Sequence, residues 1–375
     1  DPTFVELTYA GQDVSVTAAV LSVTNKRQKA AVRIAKVLEK DVRFSLGENG
    51  ETESVVFGLY AAEACNAADG TSIPADGLIE TARCTPEGQA VFTADIPVGA
   101  KLYIREIAAD AHYIVSDAQY PVEFTYAGQD TALVEIRANG GEPVENRLKR
   151  GKVTGSKTDE DGQIVSGAVF GLFAENETVF SADTALLTAV SDADGRFVFS
   201  DVPYGKWQVR ELSAPKPYVL SDTVYPVVIG EDGTVVAIEA VNRYIIGSIR
   251  IVKRDADTGE TLAGAEFALY DGNGTEIARK TTGRDGTAVF DGLRCGSYTV
   301  KETKAADGYI LSDTVTPVEI TEDGQTLTVE RTNRRIPREP ESPQTGDGSS
   351  ALWLALPVGL GSLLTVFGVR RRRRN

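Results

Sequence analysis

Phe57-Gly58-Leu59-Tyr60, Phe170-Gly171-Leu172-Phe173 and Phe267-Ala268-Leu269-Tyr270 are versions of one tetrapeptide, and their recurrence decides the fold. Each is followed by a turn and a second apolar run: Glu87-Gly88-Gln89-Ala90-Val91-Phe92, Asp194-Gly195-Arg196-Phe197-Val198-Phe199 and Asp285-Gly286-Thr287-Ala288-Val289-Phe290. Further along, Tyr113-Ile114-Val115-Ser116-Asp117, Tyr218-Val219-Leu220-Ser221-Asp222 and Tyr309-Ile310-Leu311-Ser312-Asp313 complete the match. Self-similarity of this kind marks a repeat array. The copies span 28–148, 149–244 and 245–335. Leu7-Thr8-Tyr9-Ala10-Gly11-Gln12-Asp13 echoes Phe124-Thr125-Tyr126-Ala127-Gly128-Gln129-Asp130, so 1–27 reads as the last strands of a truncated preceding copy.

Every copy reads as all-β. Short alternating runs rich in Val, Ile, Tyr, Phe and Thr are separated by turn residues. Asp-Gly, a strong hairpin signal, occurs eleven times in the chain. Strands at this spacing, in copies of about 90 to 120 residues, fit a β-sandwich. Stretches such as Asp192-Ala193-Asp194-Gly195 resemble calcium loops only in part. They lack the full ligand spacing with a terminal Glu and are read as turns. No metal site and no cofactor are expected.

Side chains alternate across a strand, so residues i, i+2 and i+4 share a face. In the third copy Ile249, Ile251 and Lys253 share one face, as do Tyr298, Val300 and Glu302, and then Leu327, Val329 and Asn333. The first copy aligns Val32, Ile34 and Lys36, then Leu102, Ile104 and Glu106, with a less regular strand before Asn146. The second aligns Trp207, Val209 and Glu211, then Val236, Ile238 and Asn242. Its first strand is glycine-rich, and Lys157 is placed mainly by spacing. Asn25 to Lys36, Asn146 to Lys157, and Asn242 to Lys253 are each separated by eleven residues. Each copy thus carries a lysine, a glutamate and an asparagine on core-facing positions.

A lone buried charge is costly, so these residues need a reason to be there. Desolvation is expected to lower the lysine pKa and raise that of the glutamate. A neutral amine could then attack the asparagine carboxamide carbon. Glu106, Glu211 and Glu302 would act as the acids, stabilising the intermediate and relaying protons to departing ammonia. The crosslinks expected are Lys36–Asn146, Lys157–Asn242 and Lys253–Asn333. Asn25 would pair with a lysine of the preceding copy.

With these residues the copies resemble collagen-adhesin B-type repeats, the SpaA-like, prealbumin-like family of Gram-positive adhesins and pilins. Tyr298-Thr299-Val300-Lys301-Glu302-Thr303 with Gly308-Tyr309 carries the likeness to that family's pilin E-box most closely. Arg210-Glu211-Leu212-Ser213-Ala214-Pro215 and Arg105-Glu106-Ile107 carry it more loosely. The resemblance implies tandem Greek-key β-sandwiches of reverse immunoglobulin type. It places Lys on the first strand, Asn on the last and the acid between them.

The C-terminal end carries a different signal. Ser342-Pro343-Gln344-Thr345-Gly346 precedes nineteen uncharged residues, Ala351 to Val369, and five arginines, Arg370 to Arg374. A nineteen-residue helix would span roughly 28 Å, close to the hydrocarbon thickness of a bilayer. A transmembrane helix over 351–369 is therefore expected, after a linker and pentapeptide at 336–350 and before a basic cytoplasmic tail at 370–375. The order resembles the cell-wall sorting signal of Gram-positive surface proteins, with Ser342 where most of that family has Leu. The resemblance implies cleavage after Thr345 by a sortase transpeptidase and transfer to a peptidoglycan precursor. The expected location is secreted and cell-wall-anchored.

Composition narrows the remaining choices. The 375 residues carry a net charge of −15, no methionine and one histidine, His112. The charge argues against nucleic acid as a partner. There is no Gly-x-Ser-x-Gly, phosphate loop or metal cluster, so the visible chain is not expected to be an enzyme beyond its own crosslinking. Residue 1 reads as internal to a longer precursor, whose N-terminal region could hold a host or cell-surface ligand site. Cys65 and Cys84 could close a ring of about 20 residues or stay as free thiols; Cys295 has no evident partner. The expected role is a covalently stiffened stalk. A tip or basal pilus subunit and the anchor of a surface enzyme are the alternatives. Tyr120-Pro121-Val122 and Tyr225-Pro226-Val227 lack the lysine that a polymerised pilus shaft uses.

Overall fold

Strands β1 (Lys29–Leu38), β2 (Val56–Ala61), β3 (Cys65–Asn66), β4 (Ser72–Ile73), β5 (Leu78–Arg83) and β6 (Gln89–Phe92) open the first repeat. β7 (Lys101–Ala108), β8 (Gln119–Glu123), β9 (Leu133–Arg137) and β10 (Val144–Asn146) complete it. The computed structural model describes residues 27–67 and 70–338. Asn25, Ser342 to Gly346 and the expected span 351–369 lie outside the described residues. Among the described residues no helix is long and apolar enough to cross a membrane.

The second repeat holds β11 (Arg150–Asp159), β12 (Val169–Ala174), β13 (Leu187–Val190), β14 (Arg196–Pro203), β15 (Gly205–Ser213), β16 (Val224–Ile229) and β17 (Val235–Asn242). The third holds β18 (Ile246–Asp255), β19 (Glu266–Tyr270), β20 (Glu276–Thr281), β21 (Thr287–Arg294), β22 (Gly296–Lys304), β23 (Val315–Ile320) and β24 (Thr326–Asn333). Both repeats have the same two sheets. One is ordered β14-β11-β17 or β21-β18-β24; the other is β13-β12-β15-β16 or β20-β19-β22-β23. In the first repeat β1 lies between β6 and the β9/β10 pair, and β5-β2-β7-β8 forms the second sheet.

In each repeat the opening strand is central, with the closing strand beside it and parallel to it. The register is Lys36↔Val144, Lys157↔Ala240 and Lys253↔Arg331. Each asparagine therefore lies opposite the residue two beyond the lysine: Leu38, Asp159 or Asp255. A parallel pair needs a crossover, and here the crossover is the whole intervening repeat. Inward residues of the two sheets meet in the core. In the third repeat Ile249, Ile251 and Phe290 face Phe267, Leu269 and Val300. The irregular strand before Asn146 has a local cause. The turn Ala138–Gly141 separates β9 from β10, with Asn139 and Gly140 at φ of 55° and 62°.

The glycine-rich β11 is explained by volume. Gly155 pairs with Phe197, Ile34 with Ala90, and Ile251 with Ala288. A Cβ on Gly155 would overlap the Phe197 ring. That ring stacks on Phe170 at a centroid distance of 3.9 Å. Large and small have changed places across the pair, so the space between the sheets stays filled.

The joints between repeats differ. Phe44 meets Trp207 edge-on at 5.0 Å, and the buried residues of the first and second repeats form one cluster. Arg150 spans the same joint, reaching Glu39 at 2.8 Å and Asp41 at 3.0 Å. The next joint is polar, with Arg294 on Asp161 at 2.6 Å and Arg243 on Asp323 through two bonds of 2.9 and 2.7 Å.

Gly155→Ile should over-pack the second repeat by about 1–3 kcal/mol, and Phe197→Ala alone should leave a cavity costing about 3–5 kcal/mol. The double variant copies the pair used by the other repeats and should recover most of either loss in thermal unfolding. A double variant less stable than both singles would refute the volume exchange.

Candidate functional site: lysine, glutamate and asparagine in the core

The lysines close the apolar faces of β1, β11 and β18, the glutamates those of β7, β15 and β22, and the asparagines end β10, β17 and β24. All nine side chains are buried, none more than 5% exposed. In the third repeat Lys253 Nζ donates to Asn333 Oδ1 at 2.5 Å and lies 3.1 Å from Glu302 Oε1. Asn333 Nδ2 donates to the same carboxylate oxygen at 2.9 Å. The first repeat repeats the triangle. Lys36 Nζ donates to Asn146 Oδ1 at 2.5 Å and to Glu106 Oε2 at 3.4 Å, and Asn146 Nδ2 donates to Glu106 Oε1 at 2.5 Å.

The second repeat differs at the lysine. Asn242 Nδ2 donates to Glu211 Oε2 at 2.7 Å and to the Val219 carbonyl at 2.8 Å. Lys157 Nζ, however, donates to the main-chain carbonyls of Thr158 at 2.9 Å and Ala240 at 3.4 Å. Glu211 Oε1 and Asn242 Oδ1 are left buried without a hydrogen-bond partner. The asparagine Oδ1 is the amine's acceptor in both other sites, and the glutamate Oε1 is its partner in the third.

Burial lowers the pKa of Lys36, Lys157 and Lys253, and the neighbouring glutamate opposes that shift in each case. Aromatic faces line the amines: Phe57 lies 5.8 Å from Lys36 Nζ and Phe267 lies 5.5 Å from Lys253 Nζ, centroid to nitrogen. These phenylalanines open the recurring tetrapeptide. In the first and third repeats the arrangement puts an amine, a carboxamide and a carboxyl in contact, sealed from water. Exchange of ammonia for the lysine amine at an amide needs those three groups held in that way.

Two devices that hold the glutamates escaped the sequence reading. A bulge falls in the pairing immediately beside Phe57, Phe170 and Phe267, the residues opposite Glu106, Glu211 and Glu302. Bulges re-aim a side chain in this way and are common beside functional sites. The second device is a backbone N–H. Ser116, Ser221 and Ser312 donate to the respective glutamates at 3.1, 2.9 and 3.1 Å. The only signal for this was the recurring Tyr-x-x-Ser-Asp stretch, which the sequence alone had left without a role.

Of the two readings left open for Cys65 and Cys84, the structure has the free thiols, and Cys295 is free as well. Cys65 pairs with Ile73 in the small β3–β4 hairpin, while Cys84 follows β5 and belongs to the buried core. The Cys84 N–H donates to the Val55 carbonyl, as Ser191 does to Ala168 and Thr282 to Ala265, so the thiol takes the place of a hydroxyl. Burial pushes it up to about 11.

Residues 151–244 and 247–335 each match the SpaA family model, a prealbumin-like fold domain. The chain carries tandem prealbumin-like domains. No curated protein matches it in sequence. The Bacillus anthracis TIE protein shares the fold at a TM-score of 0.58 and 22% identity. The match covers 82% of this chain, which spans only 51% of that one. A streptococcal ancillary pilin, at 19% identity, is matched over 83% of this chain and 100% of its own with a TM-score of 0.30. BcpA, the major pilin subunit of Bacillus cereus, follows at 17% identity, 82% and 100% coverage and a TM-score of 0.37. Neither of these two superpositions is close enough to carry an argument.

Thiol labelling distinguishes free thiols from the disulfide. Denatured protein should release three titratable thiols without reductant, and in the native state Cys84 should resist alkylation at pH 8 while Cys65 reacts. Recovery of a single thiol from denatured protein would restore the disulfide.

Proposed function

We propose that the chain is the stalk of a Gram-positive surface protein, pilin-like in construction, whose prealbumin-like domains are each stiffened by a Lys–Asn isopeptide bond. The observation that carries this reading is the 2.5 Å contact from the lysine amine to the asparagine amide oxygen in the first and third repeats, with the glutamate bridging both groups.

In the reaction the lysine Nζ, as a neutral amine, attacks the asparagine Cγ. The proton of the Lys–Glu pair then resides on the carboxyl, which donates to the amide oxygen as negative charge develops there. The glutamate next passes a proton to the departing nitrogen and takes one from the attacking amine. One C–N bond forms, one breaks, and ammonia leaves. The lysine loses its charge, which removes the desolvation cost of burying it. In the second repeat Lys157 must first swing from its carbonyl partners to the two orphaned acceptors, Glu211 Oε1 and Asn242 Oδ1.

The topology accounts for the benefit. The lysine strand and asparagine strand are adjacent and parallel, and they carry the chain into and out of each repeat. A bond between them takes tensile load directly from one to the other and leaves the rest of the sandwich outside the load path. Closing loops of this size contributes about 4–5 kcal/mol if loop entropy acts as it does for disulfides. The anchoring part of the proposal rests on the sequence: Ser342 to Gly346 as a sortase site cut after Thr345, with a peptidoglycan precursor as acceptor.

Intact mass of recombinant 1–341 should fall short of the sequence mass by three ammonias, roughly 17 Da each. Glu106→Gln, Glu211→Gln and Glu302→Gln should each restore one, since Gln keeps the shape and withholds the proton. The unfolding midpoint of the affected repeat should drop by on the order of 20 °C. A parent of full, undiminished mass would refute the crosslinks.

A further inference from the structure

The residue two beyond the lysine and the residue two beyond the asparagine vary together among the repeats. They are Leu38 with Leu148, Asp159 with Tyr244, and Asp255 with Arg335. Leu38 and Leu148 are both buried core residues. Asp255, also buried, accepts from Tyr309 Oη at 2.8 Å and Arg335 Nε at 3.0 Å through Oδ2. Its Oδ1 accepts from the N–H groups of Asp257 at 2.8 Å and Thr258 at 3.1 Å. Asp159 repeats the pattern. Its Oδ2 accepts from Tyr218 Oη at 3.0 Å and Tyr244 Oη at 2.5 Å, and its Oδ1 from the N–H groups of Asp161 and Gln163.

Each pair joins the end of the opening strand to the segment by which the chain leaves the closing strand. The same segment is held by its backbone. Tyr113 bridges to Leu148, Tyr218 to Tyr244 and Tyr309 to Arg335. The asparagine carbonyls accept from the N–H groups of Glu39, Glu160 and Ala256 at 2.9, 3.1 and 2.9 Å. Three residues after each tyrosine comes the serine whose N–H holds the catalytic glutamate. One short segment therefore ties the lysine strand, the asparagine exit and the acid together.

We propose that Asp159 and Asp255 are positioning residues, latching the exit of the last strand to the end of the lysine strand so that the asparagine is in register before the bond forms. In the first repeat the apolar Leu38–Leu148 pair performs the same task. A cation lies at each exit, in the first repeat through Glu39, which also accepts from the Leu148 N–H. Arg150 of the second repeat reaches Glu39 and Asp41, Arg294 of the third lies 3.7 Å from the Tyr244 ring, and the third repeat supplies its own Arg335. The inference rests on the crosslinking reading above.

The test uses 1–341 carrying Glu106→Gln and Glu211→Gln, so that only the third repeat reports, with ammonia loss followed by intact mass during cell-free synthesis. Asp255→Ala should slow that loss at least tenfold per folded molecule, without moving its pH profile. Asp255→Leu with Arg335→Leu copies the first repeat and should return to within about threefold of the parent rate. Ile249→Val loosens the same sheet away from the latch and should leave the rate unchanged, which separates positioning from general stability. Arg335→Ala, which keeps the Tyr309 bond, should slow the loss by a smaller factor and serves if Asp255→Ala does not fold. A parent that loses no ammonia would sink the crosslinking reading itself. A parent that does, beside folded Asp255 and Arg335 variants that keep pace with it, would sink the latch alone.

Discussion

The fold depends on one pairing, the parallel contact of each repeat's first strand with its last. Parallel neighbours cannot be joined by a tight turn, so the other strands must form the crossover between them. The same pairing fixes the asparagine two residues ahead of the lysine, within reach of a long side chain leaning along the strand. Both termini of the repeat consequently emerge from neighbouring strands of one sheet. A tandem array built this way transmits force through the pairs that hold the buried lysine and asparagine.

The cost of that arrangement is a charged pair in an apolar core. A buried ion pair is weak as a stabilising device, because desolvation offsets much of the attraction. Its presence in the first and third repeats, lined by phenylalanine, and a buried lysine and glutamate again in the second, call for a use other than stability. Converting the amine and carboxamide to a neutral amide removes the charge and leaves a covalent tie. The bulge beside each glutamate, the serine N–H that holds it and the exit latch are then devices that orient groups, as a reaction requires.

Much of this was legible from alternation alone. Inward-facing positions recur every second residue, so alternation by itself places Lys253, Glu302 and Asn333 in the core. The eleven-residue interval follows from the same geometry: a short exit from the asparagine runs directly into the next lysine strand. Alternation weakened at β11 because Gly155 had exchanged volume with Phe197, a residue distant in sequence. It failed at Ala138–Gly141, where left-handed residues interrupt the last strand. Spacing could not decide the fate of Cys65 and Cys84, since only the tertiary structure puts one in a hairpin and the other in the core. The bulges and the serine N–H bonds belong to the backbone and leave only a recurring motif in the sequence. Asp159 and Asp255 lay in plain view, but their meaning emerges only when their partners across the sheet are known.

Tandem mass spectrometry of a tryptic digest tests the central claim most directly. The account predicts a branched peptide in which uncleaved Lys253 is joined through Nζ to the side-chain carbonyl of Asn333, lighter than its two parts by one ammonia. Cleavage after Lys253, together with a linear peptide containing an intact Asn333 carboxamide, would contradict it.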